Sequence, residues 1–244
     1  VKNYSLLLPG LKVDKLNFHV SDYELISSTY GITIHGIIGN SFFRQFIVQI
    51  DYDNQEISIY HPGEFNYPTK GFLIKPMFTS YPTYNVSFKE HIKLNVPSIV
   101  DIGAGVNFIA VASLNKETPY LKKNKKSYET YVGGLGGKKT MQLTVLDKLK
   151  FGPYAFRKVP ILEFEDDFKL LNYPSLGGIL GNDLLRRFNL VLNYPSQVIH
   201  FSPNKYFNDY FDYSYTGMSV YLINHLVTIE DIIPNSANKW LFIL

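Results

Sequence analysis

Asp101 ends the apolar run Ile99-Val100 and is followed at once by Ile102-Gly103-Ala104-Gly105. A strand of this kind aims a carboxylate rigidly, and the small residues after it let another backbone come close. The competing reading is a turn aspartate that caps Gly103. Context separates the two. A second glycine cluster, Gly133-Gly134-Leu135-Gly136-Gly137, lies about 30 residues further on, and Gly178-Ile179-Leu180-Gly181 follows about 45 residues after that. Gly133–Gly137 reads as a hairpin tip, with Tyr128 and Tyr131 beside it as packing residues.

Other chemistries are poorly supplied. With no cysteine, thiol catalysis, disulfides and cysteine-ligated metals are excluded. The six histidines (His19, His35, His61, His91, His200 and His225) show no ligand spacing, so neither a metal nor a cofactor is expected. There is no Gly-x-Ser-x-Gly, and Gly133–Gly137 with Lys138-Lys139 lacks the spacing of a phosphate loop. Net charge is +3, and the basic run Lys122-Lys123-Asn124-Lys125-Lys126 has no aromatic interleaving, so it reads as a solvated loop and not as a nucleic-acid surface. No apolar stretch of about 18 residues spans a membrane, and no signal peptide stands out. Asn3-Tyr4-Ser5 and Asn85-Val86-Ser87 fit the glycosylation pattern, which is too common by chance to carry weight.

The elements that must hold Asp101 come from a duplication. Gly36-Ile37-Ile38-Gly39-Asn40-Ser41-Phe42-Phe43-Arg44-Gln45-Phe46 matches Gly178-Ile179-Leu180-Gly181-Asn182-Asp183-Leu184-Leu185-Arg186-Arg187-Phe188 at an offset of 142, with 9 of 24 positions identical out to Ile59 and Phe201. Upstream, Val13-Asp14-Lys15-Leu16-Asn17-Phe18 matches Leu146-Asp147-Lys148-Leu149-Lys150-Phe151 at an offset of 133. Each unit predicts a short helix capped by Asn40 or Ser41, or by Asn182 or Asp183, then a hairpin turning at Asp53-Asn54 or Pro195-Ser196. Further strands are expected at 72–74, 84–88, 91–95, 99–101, 127–132, 140–146 and 159–164; helix is scarce, with 108–115 the best further candidate. Hydrophobic residues make up 45%, and Tyr (19) and Phe (18) favour pleated, half-buried surfaces. The expected class is all-β, in two related lobes.

Taken in order, apolar-Asp101-x-Gly103-Ala104, Gly133-Gly134-Leu135-Gly136-Gly137, Asp147-Lys148-Leu149-Lys150-Phe151-Gly152 with Val159-Pro160-Ile161-Leu162, and Gly178 through Phe188 resemble a lobe of bacterial retropepsin-like or pepsin-like aspartyl proteases. The resemblance covers roughly residues 70–205, with half of a second lobe over roughly 10–62. It implies hydrolysis of an extended peptide or protein substrate by water held between two aspartates that share one proton. Asp101 would be one of them, and Gly103, Ala104, Gly134, Leu135 and Gly136 would line the substrate. Tyr215-Thr216-Gly217-Met218 through Ile232-Ile233-Pro234-Asn235-Ser236 is similar to the opening of a PDZ domain, whose turn would receive a peptide carboxyl terminus. The implied division is 1–68 for the second half of an N-terminal lobe, 69–208 for a complete C-terminal lobe and 209–244 for the start of a PDZ-like unit. A periplasmic or cell-envelope site follows from the family, with the cytoplasm still open.

Two departures bear on activity. The family's hydroxyl residue after the aspartate is Ile102 here, which cannot brace the site by a hydrogen bond. The partner aspartate also falls outside the chain: Asp101 lies 46 residues before Asp147, and the same spacing before Asp14 gives position −32. The partner is therefore expected from an upstream segment or from a second chain. A peptide-binding module without chemistry is the alternative, and a scaffold protein is a third reading if no cleft exists.

Overall fold

The computed structural model describes residues 1–78, 81–90, 92–134, 136–165, 176–211, 217–223 and 225–232. The first copy of the repeat opens with the hairpin β1 (Tyr4–Leu8) and β2 (Leu11–Leu16), which buries Val13 and Leu16. After it come α1 (Glu24–Tyr30), α2 (Asn40–Phe43) and a second hairpin, β3 (Ile47–Asp51) and β4 (Glu56–Tyr60). The chain continues through β5 (Phe72–Ile74), β6 (Met77–Phe78), β7 (Pro82–Lys89), β8 (Lys93–Val100), β9 (Phe108–Val111) and α3 (Ala112–Glu117). The long hairpin β10 (Ser127–Gly134) and β11 (Gly137–Phe151) leads to β12 (Tyr154–Phe164) and β13 (Gly178–Leu180). Finally α4 (Asn182–Leu185), β14 (Phe188–Asn193) and β15 (Val198–Pro203) repeat the helix–hairpin unit, and β16 (Met218–Ile223) and β17 (Leu226–Ile232) form a last hairpin. The class is all-β.

β7, β8, β13, β9, β12 and β11 close into a six-strand barrel through the β11–β7 pairing. Closure leaves these strands no free edge. Phe108 to Val111 are all buried, so both faces of β9 are covered, while its two edges pair with β12 and β13. The helix expected over 108–115 is therefore a central strand followed by a one-turn helix; a short apolar run fits either element until its neighbours are known. The strands expected at 91–95 and 99–101 are one strand, β8. Pro97 continues it in extended form, and its carbonyl accepts the Gly177 N–H at 2.9 Å. His91 itself lies outside the described residues.

The duplication has a structural axis. β3 and β14 pair antiparallel at the centre of the sheet β4-β3-β14-β15-β5, with Gln49 opposite Val191. Those two residues are equivalent at the offset of 142, and Val48–Leu192 and Ile50–Leu190 exchange across them. A local two-fold axis thus passes through the Gln49–Val191 pair. Backbone detail repeats too: Gln55 and Gln197, the last residues of the two equivalent turns, have φ of 58° and 55°.

Aromatic residues join this sheet to the barrel. Phe72 of β5 stacks on Phe201 of β15 at 5.2 Å between ring centres, and Phe151 of β11 meets Phe201 edge-on at 4.9 Å. Phe188 sits among Phe72, Phe151, Tyr154, Phe156, Phe201 and Phe207 and is fully buried. Such pairs add about 0.5–1.5 kcal/mol each beyond area burial, which is how a chain so rich in Tyr and Phe uses them.

The run Lys122–Lys126 is solvated, with only Lys125 half-buried, but two of its lysines are tied to acids of the barrel. Lys125 pairs with the wholly buried Glu90 carboxylate at 2.8 Å and with Asp147 at 3.3 Å, and Lys122 also pairs with Asp147. No described helix is long and apolar enough to cross a membrane.

Candidate functional site

Asp101 follows β8 directly, and its N–H donates to the Leu180 carbonyl of β13 at 2.9 Å. β13 is parallel to β8 on one side and antiparallel to β9 on the other, so the loop carrying Asp101 bridges two strands that grip a third between them. The far side of the loop is fixed to the start of α4. The Asn182 N–H donates to the Ala104 carbonyl at 2.6 Å, Asp183 N–H to Val106 O at 3.1 Å, and Gly181 N–H to Asn107 O at 3.1 Å. Contact is so close that a Cβ on Gly181 would stand 2.2 Å from Val106 O and 2.7 Å from Ala104 O. Glycine is required there by space.

Within the loop, Asp101 Oδ1 accepts the Gly103 N–H at 2.8 Å. The turn-capping bond is therefore present, and it sets the rotamer of a carboxylate that stays half-buried. Ile102 packs against the main core cluster. Apolar packing thus stands where the related pattern places a hydroxyl brace. Gly103 and Gly105 are exposed and Ala104 is half-buried, so small residues do face outward beside Asp101.

A tyrosine that the motif reading missed lies within electrostatic reach. Burial and the Asp101 charge together push the Tyr194 phenol up to about 12. Its ring sits 5.7 Å from Phe43 of α2. The signal was in the duplication, since Tyr194 is the equivalent of Tyr52. The Tyr52 phenol, raised mainly by burial, donates to Asn182 Oδ1 at 2.7 Å across the axis. Neither Asn40 nor Asn182 is a helix cap. The capping positions are Gly39 and Gly181, without a side-chain hydrogen bond, and Asn182 serves the tyrosine instead.

Gly133 and Gly134 end β10 opposite Lys138 and Gly137, so the glycine cluster is a hairpin tip. Gly134 and Gly136 face open space; Leu135 lies outside the described residues. The tip and the Asp101 loop are connected by α1, which nothing in the sequence had singled out. A Cβ on Gly133 would meet Thr29 Oγ1 at 2.9 Å and Leu25 Cγ at 3.5 Å, while one on Gly105 would meet the Tyr30 hydroxyl at 2.5 Å. Helix α1 also packs against β16.

No protein-family model matches the chain, and no curated protein resembles it in sequence. The functional reading therefore rests on the residues themselves. Among the described residues, no group of three or more His, Asp or Glu is placed to hold a metal ion. His200 is buried, which lowers its pKa and keeps it neutral. Tyr215 and Thr216 of the PDZ-like turn, and the stretch from Ile233 to Ser236, fall outside the described residues; Gly217 is present with φ of 62° ahead of the β16–β17 hairpin.

The first copy lacks a counterpart to this site among the described residues. Gly36-Ile37-Ile38-Gly39 is the equivalent of β13 and α4's cap, yet Ile37 and Ile38 are 53% and 46% exposed, and nothing lies within 4 Å of a Cβ on Gly36 or Gly39.

Proposed function

We propose that this chain is the Asp101-bearing body of an aspartic endopeptidase acting on extended peptides. The observation that carries the reading is the two-fold relation between copies. In the second copy β13 is gripped by a strand–Asp101–strand unit; in the first, the equivalent stretch from Gly36 to Ile38 pairs with no strand among the described residues. A second strand–carboxylate–strand unit seated beside Ile37 and Ile38 would face Asp101 across the axis. It would be joined to this chain or come from another polypeptide.

Two carboxylates so placed cannot both ionise cheaply, and they share one proton as a coupled pair. Water adds its oxygen to the peptide carbonyl carbon while the ionised carboxylate takes one of its protons. The amide nitrogen leaves as an amine carrying a proton, and the pair ends with the single proton it began with. Tyr194 adds a neutral phenol near Asp101, and the fixed turn through Gly103 keeps the carboxylate from wandering.

The test is cleavage of a diverse peptide library by the full-length protein from about pH 3 to about pH 8. Activity should peak at mildly acidic pH, yield to a statine-type transition-state mimic, and vanish in Asp101→Asn. Cleavage that survives Asp101→Asn refutes the assignment. Ile102, which packs against the core and offers no hydroxyl, favours a second reading, a peptide-binding module without chemistry. Peptide binding with no cleavage across that pH range would decide for it.

A further inference from the structure

We propose that the outer edge of β4 receives a further antiparallel strand, with an aromatic residue opposite Ile59 and an aliphatic one opposite Ile57. It rests on the two-fold relation behind the function proposed above and is independent of hydrolysis. The sheet β4-β3-β14-β15-β5 has equivalent pairs at its centre and unequal ends. β4 and β15 match at the offset of 142, so Ile57, Ser58 and Ile59 correspond to Ile199, His200 and Phe201. β5 covers β15, with Ile74, Leu73 and Phe72 opposite those three residues. β4 has β3 on its inner side, and no described strand pairs with its outer side.

Burial follows the same asymmetry. Ile199 and Phe201 are fully buried, whereas Ile57 is 67% exposed and Ile59 half-buried. Both isoleucines stand on the sheet face that carries Val48, Ile50, Leu190 and Leu192. The opposite face already has a cover. Phe65 meets Tyr60 and Tyr67 edge-on, each at 5.3 Å, and the Tyr67 oxygen accepts the Asn193 amide N–H at 2.8 Å.

β4 carries none of the devices that keep an exposed edge from pairing. Glu56-Ile57-Ser58-Ile59-Tyr60 has no lysine and no proline, and its register with β3 runs without a bulge. The other end of the sheet is guarded: β5 has three residues, bracketed by Lys70-Gly71 and Lys75-Pro76. β5 also shows what fits such an edge. Phe72 stacks on Phe201, and a Cβ on Gly71 would stand 2.0 Å from Phe201 O, so only glycine lets the strand start so close. Ser202 Oγ donates to the Lys70 carbonyl at 3.0 Å. Carried one residue further, the register sets Lys75 opposite Val198, whose equivalent in β4 is Glu56. A strand with the β5 pattern therefore brings a cation to Glu56, an aliphatic residue to Ile57 and an aromatic one to Ile59. β5 leads through β6 and β7 into the strand that carries Asp101, so the matching strand on β4 is the start of the second carboxylate unit.

The experiment traps the strand by disulfide exchange. The chain has no cysteine, so Ser58→Cys carries a single thiol. It is mixed in a glutathione redox buffer with the synthetic peptide Lys70-Gly71-Phe72-Leu73-Ile74-Lys75 carrying Leu73→Cys, and the mixed disulfide is read by intact-mass spectrometry. Directly opposed residues bring their Cβ atoms to about 4.5–5.5 Å, near enough for a disulfide to form with a small adjustment. Trapping should exceed that of Glu64→Cys, on the exposed loop after β4, by about tenfold. It should fall about tenfold with Phe72→Ala in the peptide or Ile57→Lys in the protein. Ile57 is exposed in the unpaired edge, so Ile57→Lys should leave the melting temperature in place. Equal trapping at 58 and 64, indifference to Phe72→Ala or Ile57→Lys, or a disulfide between two copies of the Ser58→Cys chain in preference to the peptide overturns the proposal. Peptide cleavage by the unmodified chain is scored separately. Trapping without cleavage sinks the peptidase and leaves the strand site, and cleavage without trapping does the reverse.

Discussion

Replacing Gly181 and Gly39 by alanine, one at a time, isolates the contact that fixes the Asp101 loop. The two residues are equivalent, cap equivalent helices and have similar extended backbones, with φ and ψ of −100° and 175° at Gly181 and −115° and −163° at Gly39. Alanine adopts either conformation without strain, so the two changes differ only in what the new methyl meets. At 181 it stands 2.2 Å from Val106 O and 2.7 Å from Ala104 O. Cβ contacts below 3.0 Å are not sustained, so the loop must retreat by close to an ångström. Overpacking of this kind costs about 1–3 kcal/mol. The Asn182–Ala104 and Gly181–Asn107 hydrogen bonds stretch with it, at about 1 kcal/mol each if lost. About 3 kcal/mol in a chain of this size is roughly 6–12 °C of melting temperature. Gly39→Ala meets nothing within 4 Å and instead narrows the unfolded ensemble, a gain of about 0.4–1 kcal/mol. Thermal and urea melts followed by circular dichroism should therefore move in opposite directions. If the proposed second carboxylate unit is added and docks beside Ile37 and Ile38, Gly39→Ala should become costly as well. Shifts of the same sign and size for the two variants refute the reasoning.

Other outcomes follow from the packing and charge of the barrel. Phe188→Ala empties the centre of the aromatic cluster and should cost about 3–5 kcal/mol in a urea melt. Glu90→Ala removes the nearer partner of Lys125, whose side chain is 17% exposed, leaving it only Asp147 at 3.3 Å, and takes the acceptor from the Asp147 N–H; it should cost about 2–4 kcal/mol, with Glu90→Gln recovering part of it through that N–H. Asp147 is held far below the usual carboxylate range by Lys122, then Lys158 and Lys125. A depressed folded pKa means stability present above about pH 4 and lost as pH falls further; Asp147→Asn should flatten that acid limb in pH-dependent melts.

Much of the barrel was legible because its strands alternate or run apolar between recognisable turns. Gly133–Gly137 reads as a hairpin tip from composition alone, and the Gln55 and Gln197 turns follow from the repeat. Phe108–Val111 was misjudged because a strand buried on both faces shows no period of two, and its neighbours β12 and β13 come from up to 70 residues away. The asparagines were misassigned for a similar reason. Local sequence offers Asn182 a helix cap, but Tyr52, 130 residues distant, offers a better bond. Helix α1 has no amphipathic stripe to announce it, and it becomes visible only through the glycines it touches. Asp101 stands out in the sequence because strand, carboxylate and glycine are adjacent; Tyr30 and Tyr194 come near the same loop from elsewhere in the chain.

On the proposed reading, the local two-fold axis through Gln49 and Val191 gives the place for a second carboxylate. Tyr194 feels the Asp101 charge, and Tyr52 is its image across the Gln49–Val191 pair. What raises Tyr52 now is burial, opposed by Asn182 and Arg186, with no carboxylate among the causes. If the proposed strand–carboxylate–strand unit sits beside Ile37 and Ile38, the same symmetry would bring its acid to Tyr52 as β8 and β9 bring Asp101 to Tyr194. Ultraviolet titration comparing Tyr52→Phe with unmodified protein, with and without that unit, should therefore show the Tyr52 phenol pushed further up when the unit is present. An unchanged Tyr52 would mean that the unit docks elsewhere, and that the axis relating the scaffolds does not relate their acids.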